Sequence, residues 1–226
     1  IINDAYNTGT VGVGSSINNT YFGGFAGINS GQINRSYSIG RVTKPGNTNI
    51  IAGFVGSNSG TVSGSFWDTD TSGLSVGVGA GTKTGMIGGC FDASCTNGGT
   101  VNLFATNTYS DAGWDMSTKW AIVTEQTFPY LRDFFSNPRI ISGTSGTSAN
   151  TPITISVNGA VVDTVRTFAN GYFYRLYDLN NISGISNNLA DGSPLLVYQS
   201  GNATTGNVLT NLPNANGSLS GATGLT

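Results

Sequence analysis

The chain has 226 residues with 34 glycines and no histidine, only 9% of it is charged, and the formal net charge is −2. About a quarter of an ordinary globular chain is charged, so this balance excludes a basic nucleic-acid-binding stripe, and no run of 18 or more apolar residues marks a membrane span. Aromatics at 10% separate it from disordered chains, and the load of Gly, Asn, Ser and Thr, all poor helix formers, predicts an all-β protein with many tight turns.

The first predicted element, residues 1–73, is a repeat. Gly24-Phe25-Ala26-Gly27-Ile28-Asn29-Ser30-Gly31-Gln32-Ile33 returns 29 residues later as Gly53-Phe54-Val55-Gly56-Ser57-Asn58-Ser59-Gly60-Thr61-Val62. A partial copy, Ala5-Tyr6-Asn7-Thr8-Gly9-Thr10-Val11, matches Ser36-Tyr37-Ser38-Ile39-Gly40-Arg41-Val42. Self-similarity at a period of 20–50 residues is the signature of a repeat architecture. Short alternating pieces are broken by Gly and Asn, which supply the positive φ that corners need. A coil of about 29 residues holds three strands of 4–6 residues plus turns. The pattern predicts a parallel β-solenoid (β-helix). Phe25 stacks over Phe54 in it, Tyr37 over Phe66, and Asn29 over Asn58 as an amide ladder that satisfies backbone groups. One coil cannot bury its own face, so stacking is obligatory. The chain opens within the pattern at Ile1-Ile2, which reads as a stretch of a longer exported polypeptide.

The phrase running from Gly23 to Gly40 resembles the GLUG motif, a repeat of large bacterial surface exoproteins. Ser65-Phe66-Trp67-Asp68-Thr69-Asp70-Thr71-Ser72-Gly73, then Lys83-Thr84-Gly85-Met86, then Gly113-Trp114-Asp115, Trp120-Ala121-Ile122 and Phe128-Pro129-Tyr130-Leu131-Arg132, resemble filamentous-haemagglutinin-like adhesins. The resemblance covers residues 1–135 and implies an exported β-solenoid. GLUG repeats also occur in IgA-cleaving metallopeptidases, outside the catalytic parts. This chain has no HExxH, so that activity does not carry over.

Residues 74–100 are glycine-rich and read as a protruding loop, followed by a strand near Val101. Cys90 and Cys95 sit in this loop. Such a pair in an acidic, lysine-poor chain reads as an extracellular disulfide, worth about 2 kcal/mol at most for so short a loop; two reduced thiols are the alternative. Without histidine the pair makes a poor metal site. In the proteins it resembles, the aromatic run 109–135 closes the repeat array, as a plug over the last coil.

From residue 136 the grammar changes. Asn158-Gly159 between two alternating runs is a hairpin signal, and strands recur over Tyr172-Phe173-Tyr174-Arg175-Leu176-Tyr177 and Pro194-Leu195-Leu196-Val197-Tyr198. Residues 136–226 therefore read as a small antiparallel β-sandwich-like module, or a side sheet on the solenoid. Val157-Asn158-Gly159 with Ala169-Asn170-Gly171-Tyr172-Phe173 resembles the prealbumin-like modules of surface proteins.

The absence of histidine removes Ser-His-Asp and Cys-His catalysis, and most carboxylates sit in turn contexts, so no enzyme activity and no cofactor are expected. Asp68-Thr69-Asp70-Thr71-Ser72-Gly73 matches the first half of a calcium loop, but its twelfth position is Gly79 rather than the bidentate Glu; Asp68 and Asp70 are the weak calcium candidates, with a turn the competing reading. Trp67, Trp114 and Trp120 suit either sugar stacking or burial. Tyr172 and Tyr174 share one strand face, and with Tyr177 they are the candidate binding residues, since an exposed tyrosine makes good contacts. Five N-glycosylation sequons start at Asn18, Asn34, Asn181, Asn202 and Asn216. The expected function is a structural and adhesive segment of a large secreted or cell-surface bacterial adhesin, meeting host or bacterial surface glycans or receptors. The alternative is a carbohydrate-binding or polysaccharide-processing module, recognisable by a groove of exposed aromatics and paired carboxylates. A spacer with no ligand of its own is the third reading.

Overall fold

The computed structural model describes the chain apart from residues 13–19, 44–49, 93, 147–148, 150, 169, 181–188, 202–206, 214–217, 224 and 226. The protein is all-β, with short strands and two short helices, Thr69–Ser72 and Thr106–Ser110, among the described residues. It divides into two compact units, Ile1–Met116 and Ser117–Thr226. The aromatic stretch around Trp120 and Tyr130 falls in the second.

In the first unit, strands of successive repeats lie side by side in parallel. Ile2–Asn3, Gln32–Asn34 and Thr61–Ser63 form one ladder, with Ile2 beside Ile33 and Ile33 beside Val62. Tyr6–Asn7, Tyr37–Ser38, Ser65–Asp68, Met86–Cys90 and Val101–Asn102 form a second, of five strands. Ala26–Asn29, Val55–Asn58 and Val78–Gly81 form a third, and Tyr21–Gly23 pairs with Ile50–Ala52 in a fourth. Hence Met86–Cys90 and Val78–Gly81, inside the stretch expected to protrude as a loop, instead extend two of the ladders. The glycines beside Trp67 are there for size. Trp67 fills the core beside Ile33, Phe54, Val55, Val62 and Val78, and a Cβ on Gly53 or Gly77 would lie 2.2 or 2.6 Å from its indole ring.

Like residues stack on like. The Phe25 and Phe54 rings are 4.9 Å apart and Tyr6 and Tyr37 are 5.2 Å apart, both stacked. Tyr37 stands in register with Phe66. Asn29 Nδ2 donates to Asn58 Oδ1 at 2.8 Å, and Asn58 Nδ2 donates to the Thr82 carbonyl at 2.9 Å, so the amides satisfy each other and the backbone. One corner departs from the Gly/Asn expectation: Asp4, Arg35 and Gly64, at the same position of three successive repeats, have φ of 56°, 48° and 52°. Phe66 points away from the Trp67 side, because neighbouring residues of a strand face opposite ways. Tyr109 and Trp114 cover it, 5.1 and 5.9 Å away between ring centres. Tyr109 and Trp114 thus pack on the flank of the five-stranded ladder.

In the second unit, Tyr172–Asp178 pairs antiparallel with Pro138–Thr144, which also pairs with Leu219–Ala222. A second sheet orders Ala160–Arg166, Pro152–Val157, Pro194–Gln199 and Asn207–Asn211. The hairpin between its first two strands turns at Asn158-Gly159, both with positive φ. Alternate residues of the two sheets share one core of Ile141, Ile153, Ile155, Val157, Phe173, Tyr177, Leu195 and Val197. Arg139 is fully buried at its margin and donates to the Leu189 and Pro213 carbonyls and the Asp191 carboxylate. A buried guanidinium needs such pairing. A separate pair joins Trp120–Ala121 to Tyr130–Leu131.

Candidate functional site

The two aspartates and the two cysteines meet in one place. Asp68 is the N-cap of the Thr69–Ser72 turn, and its carboxylate accepts from the Asp70 N–H at 2.9 Å, the Thr71 N–H at 3.0 Å and the Thr71 hydroxyl at 2.8 Å. A short acceptor side chain at this position satisfies otherwise orphaned N–H groups. Asp68 is 3% exposed. Burial pushes its pKa up to about 6, although the bonds from Thr71 and Asp70 act the other way. Asp70 accepts from the Thr96 N–H and hydroxyl, each at 3.0 Å, and the Asn97 N–H at 2.9 Å. Those residues follow the Cys90–Cys95 disulfide, whose Cα atoms are 5.4 Å apart. Thr69 Oγ1 donates to the Gly89 carbonyl. Turn and cystine loop are therefore one hydrogen-bonded piece. Within the loop, Ser94 donates to Asp92 and lowers its pKa. A cation at Asp68 and Asp70 would have to displace these donors. Gly79, the twelfth position of the calcium-like motif, lies in strand Val78–Gly81. Among the described residues no three or more acidic or cysteine side chains gather into a metal site.

The tyrosines lie differently from the expectation. Tyr172 and Tyr174 do point to one side, but Tyr172 is buried and its hydroxyl donates to the Gln126 carbonyl at 2.7 Å. Tyr174 is half-buried against Phe168 and Phe128, 5.8 and 6.4 Å away. Tyr177 belongs to the core, and burial, with the Asp163 charge second, raises its pKa, while the neighbouring Arg175 acts the other way. Residues 128 and 168, distant in sequence, close over this face. The three tryptophans are buried too, Trp67 Nε1 donating to the Leu74 carbonyl at 3.0 Å and Trp114 Nε1 to the Gly64 carbonyl at 2.6 Å.

The surfaces on offer are ones the sequence reading passed over. Across the outer side of the four-stranded sheet, Val161, Ser156, Leu196 and Leu209 stand in one row; its ends, Val161 and Leu209, are 62% and 73% exposed, while Ser156 between them is buried and Leu196 half-buried. The strand periodicity contained that row, but the order of the strands did not follow from it. In the first unit a groove of about 410 Å3 runs beside Phe66, Met86, Ile87 and Asp111. Asp111 is the one acidic residue among its described lining, so no carboxylate pair forms there. The Asn34 sequon is described, and its amide donates to Asn3 Oδ1 at 2.8 Å. Those at Asn18, Asn181, Asn202 and Asn216 lie outside the described residues. No helix among the described residues is long and apolar enough to cross a membrane. No family model, curated protein or solved structure matches the chain.

Proposed function

We propose that the chain is a structural and adhesive segment of a secreted or cell-surface bacterial protein, with residues 1–116 forming a stalk of stacked β-solenoid coils of the GLUG type. The observation that carries this reading is the parallel pairing of residues one repeat apart, Ile33 beside Val62 and Asn29 beside Asn58, with ring and amide ladders along the stack. Repeat coils stacked in this way make a rigid one-dimensional scaffold, each coil contacting only its neighbours. The Cys90–Cys95 disulfide supports an oxidising, extracellular setting. The adhesive part works by contact rather than chemistry, through many weak contacts along a long array. The apolar row of Val161, Leu196 and Leu209 is its contact surface on the second unit.

The test is binding of the purified chain to a glycan array and to host and bacterial cells, beside a variant carrying Val161→Asp and Leu209→Asp. Saturable cell binding that the variant loses supports the adhesive reading. Equal binding by both moves the contact surface elsewhere. Absence of binding by the unaltered chain refutes adhesion by this segment and leaves the stalk alone.

A further inference from the structure

The first coil, described over residues 2–12 and 20–31, differs from those stacked after it. Ile2 is 45% exposed, whereas Ile33 and Val62, next in the same ladder, are 1% and 7% exposed. Phe25 and Ala26 are half-buried, while their counterparts Phe54 and Val55 are fully buried. Tyr21 and Ile28 of the same coil are exposed as well. The backbone repeats this asymmetry. Ile39, Ile50 and Ser59 donate their N–H groups to the carbonyls of Asn7, Thr20 and Asn29, one coil back. The matching positions of the first coil are Thr8, Tyr21 and Ser30, and the strands Tyr21–Gly23 and Ala26–Asn29 are edges of their sheets. An edge of this kind is a template for another strand.

The glycines identify what fits there. A Cβ on Gly40 would lie 1.9 Å from the Gly9 carbonyl oxygen, and one on Gly60 would lie 2.1 Å from that of Gly31. Both positions must be glycine because the backbone of the preceding coil passes so close. Gly9 and Gly31 hold the same two positions in the first coil, yet a Cβ there would meet nothing nearer than 3.4 Å and 3.9 Å. Neither has positive φ. Among the described residues nothing requires glycine at either place, and a coil laid against the edge would.

We propose that the open face of the first coil, in its described residues, is a docking surface for one further coil of the same repeat pattern, parallel to it and one repeat out of step. The proposal rests on the stacked-coil reading above. It continues the interface that the first coil already makes with the second, Ile2 to Ile33, Tyr6 to Tyr37 and Ala26 to Val55. It also states the chemistry of the partner: a branched apolar side chain over Ile2, as Ile2 lies over Ile33; a ring on Phe25, as Phe25 stacks on Phe54; and bare backbone over Gly9 and Gly31.

The test fuses a copy of residues 32–60 directly ahead of Ile1, which gives Ile1 the neighbour that Thr61 has. Amide hydrogen exchange is then followed residue by residue by NMR. The expected result is at least tenfold slower exchange at Tyr21 and Ser30. A second fusion, with Ile33→Asp and Phe54→Ser in the copy alone, should exchange there as the unfused chain does. Unchanged exchange at Tyr21 and Ser30 in the first fusion, with Ile50 and Ser59 still protected, overturns the docking proposal and leaves the stacked-coil reading standing. Rapid exchange at Ile50 and Ser59 in the unfused chain overturns that reading, and the docking proposal with it.

Discussion

Arg35 holds Asp4 from 31 residues away, Nε to Oδ1 at 2.8 Å and Nη2 to Oδ2 at 3.0 Å. Both residues occupy the same position of successive sequence repeats, and both have left-handed backbone. That conformation costs a side-chain-bearing residue about 1–2 kcal/mol, so the corner sets a bidentate ion pair against strain. Gly64, next in the series, avoids the strain. Arg35→Ala loses the pair and keeps the strain; Arg35→Gly loses the pair and relieves it. In denaturant titrations the alanine variant is expected to be less stable than the glycine variant by about 1 kcal/mol. Equal stabilities would mean that the corner is not strained.

The amide ladder makes a sharper prediction. Asn58 both accepts from Asn29 and donates to the Thr82 carbonyl, and a carboxylate can do only the first. Asn58→Asp turns a buried donor toward an acceptor and leaves a charge with poor solvation, which mutational data put at about 1–3 kcal/mol or more. Protonation returns a donor, so the loss should be larger at pH 7 than at pH 4. Thermal melts of variant and wild type at the two pH values measure the difference. A loss independent of pH would show that the ladder is not a donor–acceptor chain.

Ser38 points the other way. Its hydroxyl is fully buried with no hydrogen-bond partner. An unmet buried hydroxyl costs about 1–3 kcal/mol, and its removal leaves only a small space. Ser38→Ala is therefore expected to raise the denaturation midpoint, corresponding to a gain of about 1 kcal/mol in unfolding free energy. A lower midpoint would mean that the hydroxyl is satisfied in solution.

Much of the first unit is legible because a parallel stack turns sequence repetition directly into contact. The twice-said phrase places Phe25 on Phe54 and Asn29 on Asn58 without knowledge of any other part of the chain. Residues 74–100 carry no copy of that phrase, and their glycines read as loop. In the fold Gly77 and Gly88 are small because the Trp67 ring lies against them. Such complementarity of size between strands has no period. Asp4 and Arg35 look like solvated charges until the 31-residue offset aligns them. Alternation puts Tyr172 and Tyr174 on one side of a strand, but whether that side is open depends on Phe128 and Phe168, and strand alternation carries no information about them.

Asp68 gives the pH prediction. Its folded pKa of about 6 lies above the ordinary aspartate value near 3.9, so the fold prefers the protonated side chain. Below pH 4 both states are protonated and stability is flat. Between about 4 and 6 the unfolded chain ionises while the folded chain stays protonated, so raising the pH favours unfolding. Above 6 both are ionised, and stability levels off lower by about 3 kcal/mol. The side chain remains bound at the N-cap throughout, since the Asp70 and Thr71 N–H groups can donate to either form. Asp68→Asn keeps a good cap and removes the titration. Stability measured by guanidinium unfolding from pH 3.5 to 7.5 should fall across this window in the wild type and stay more nearly level in the variant. Carboxylates remote from Asp68 contribute equally to both proteins, so the difference between the curves reports Asp68 and its coupling to Asp70. If the curves run parallel, the hydrogen bonds from Thr71 and Asp70 outweigh burial, and Asp68 is ionised in the folded chain well below pH 6.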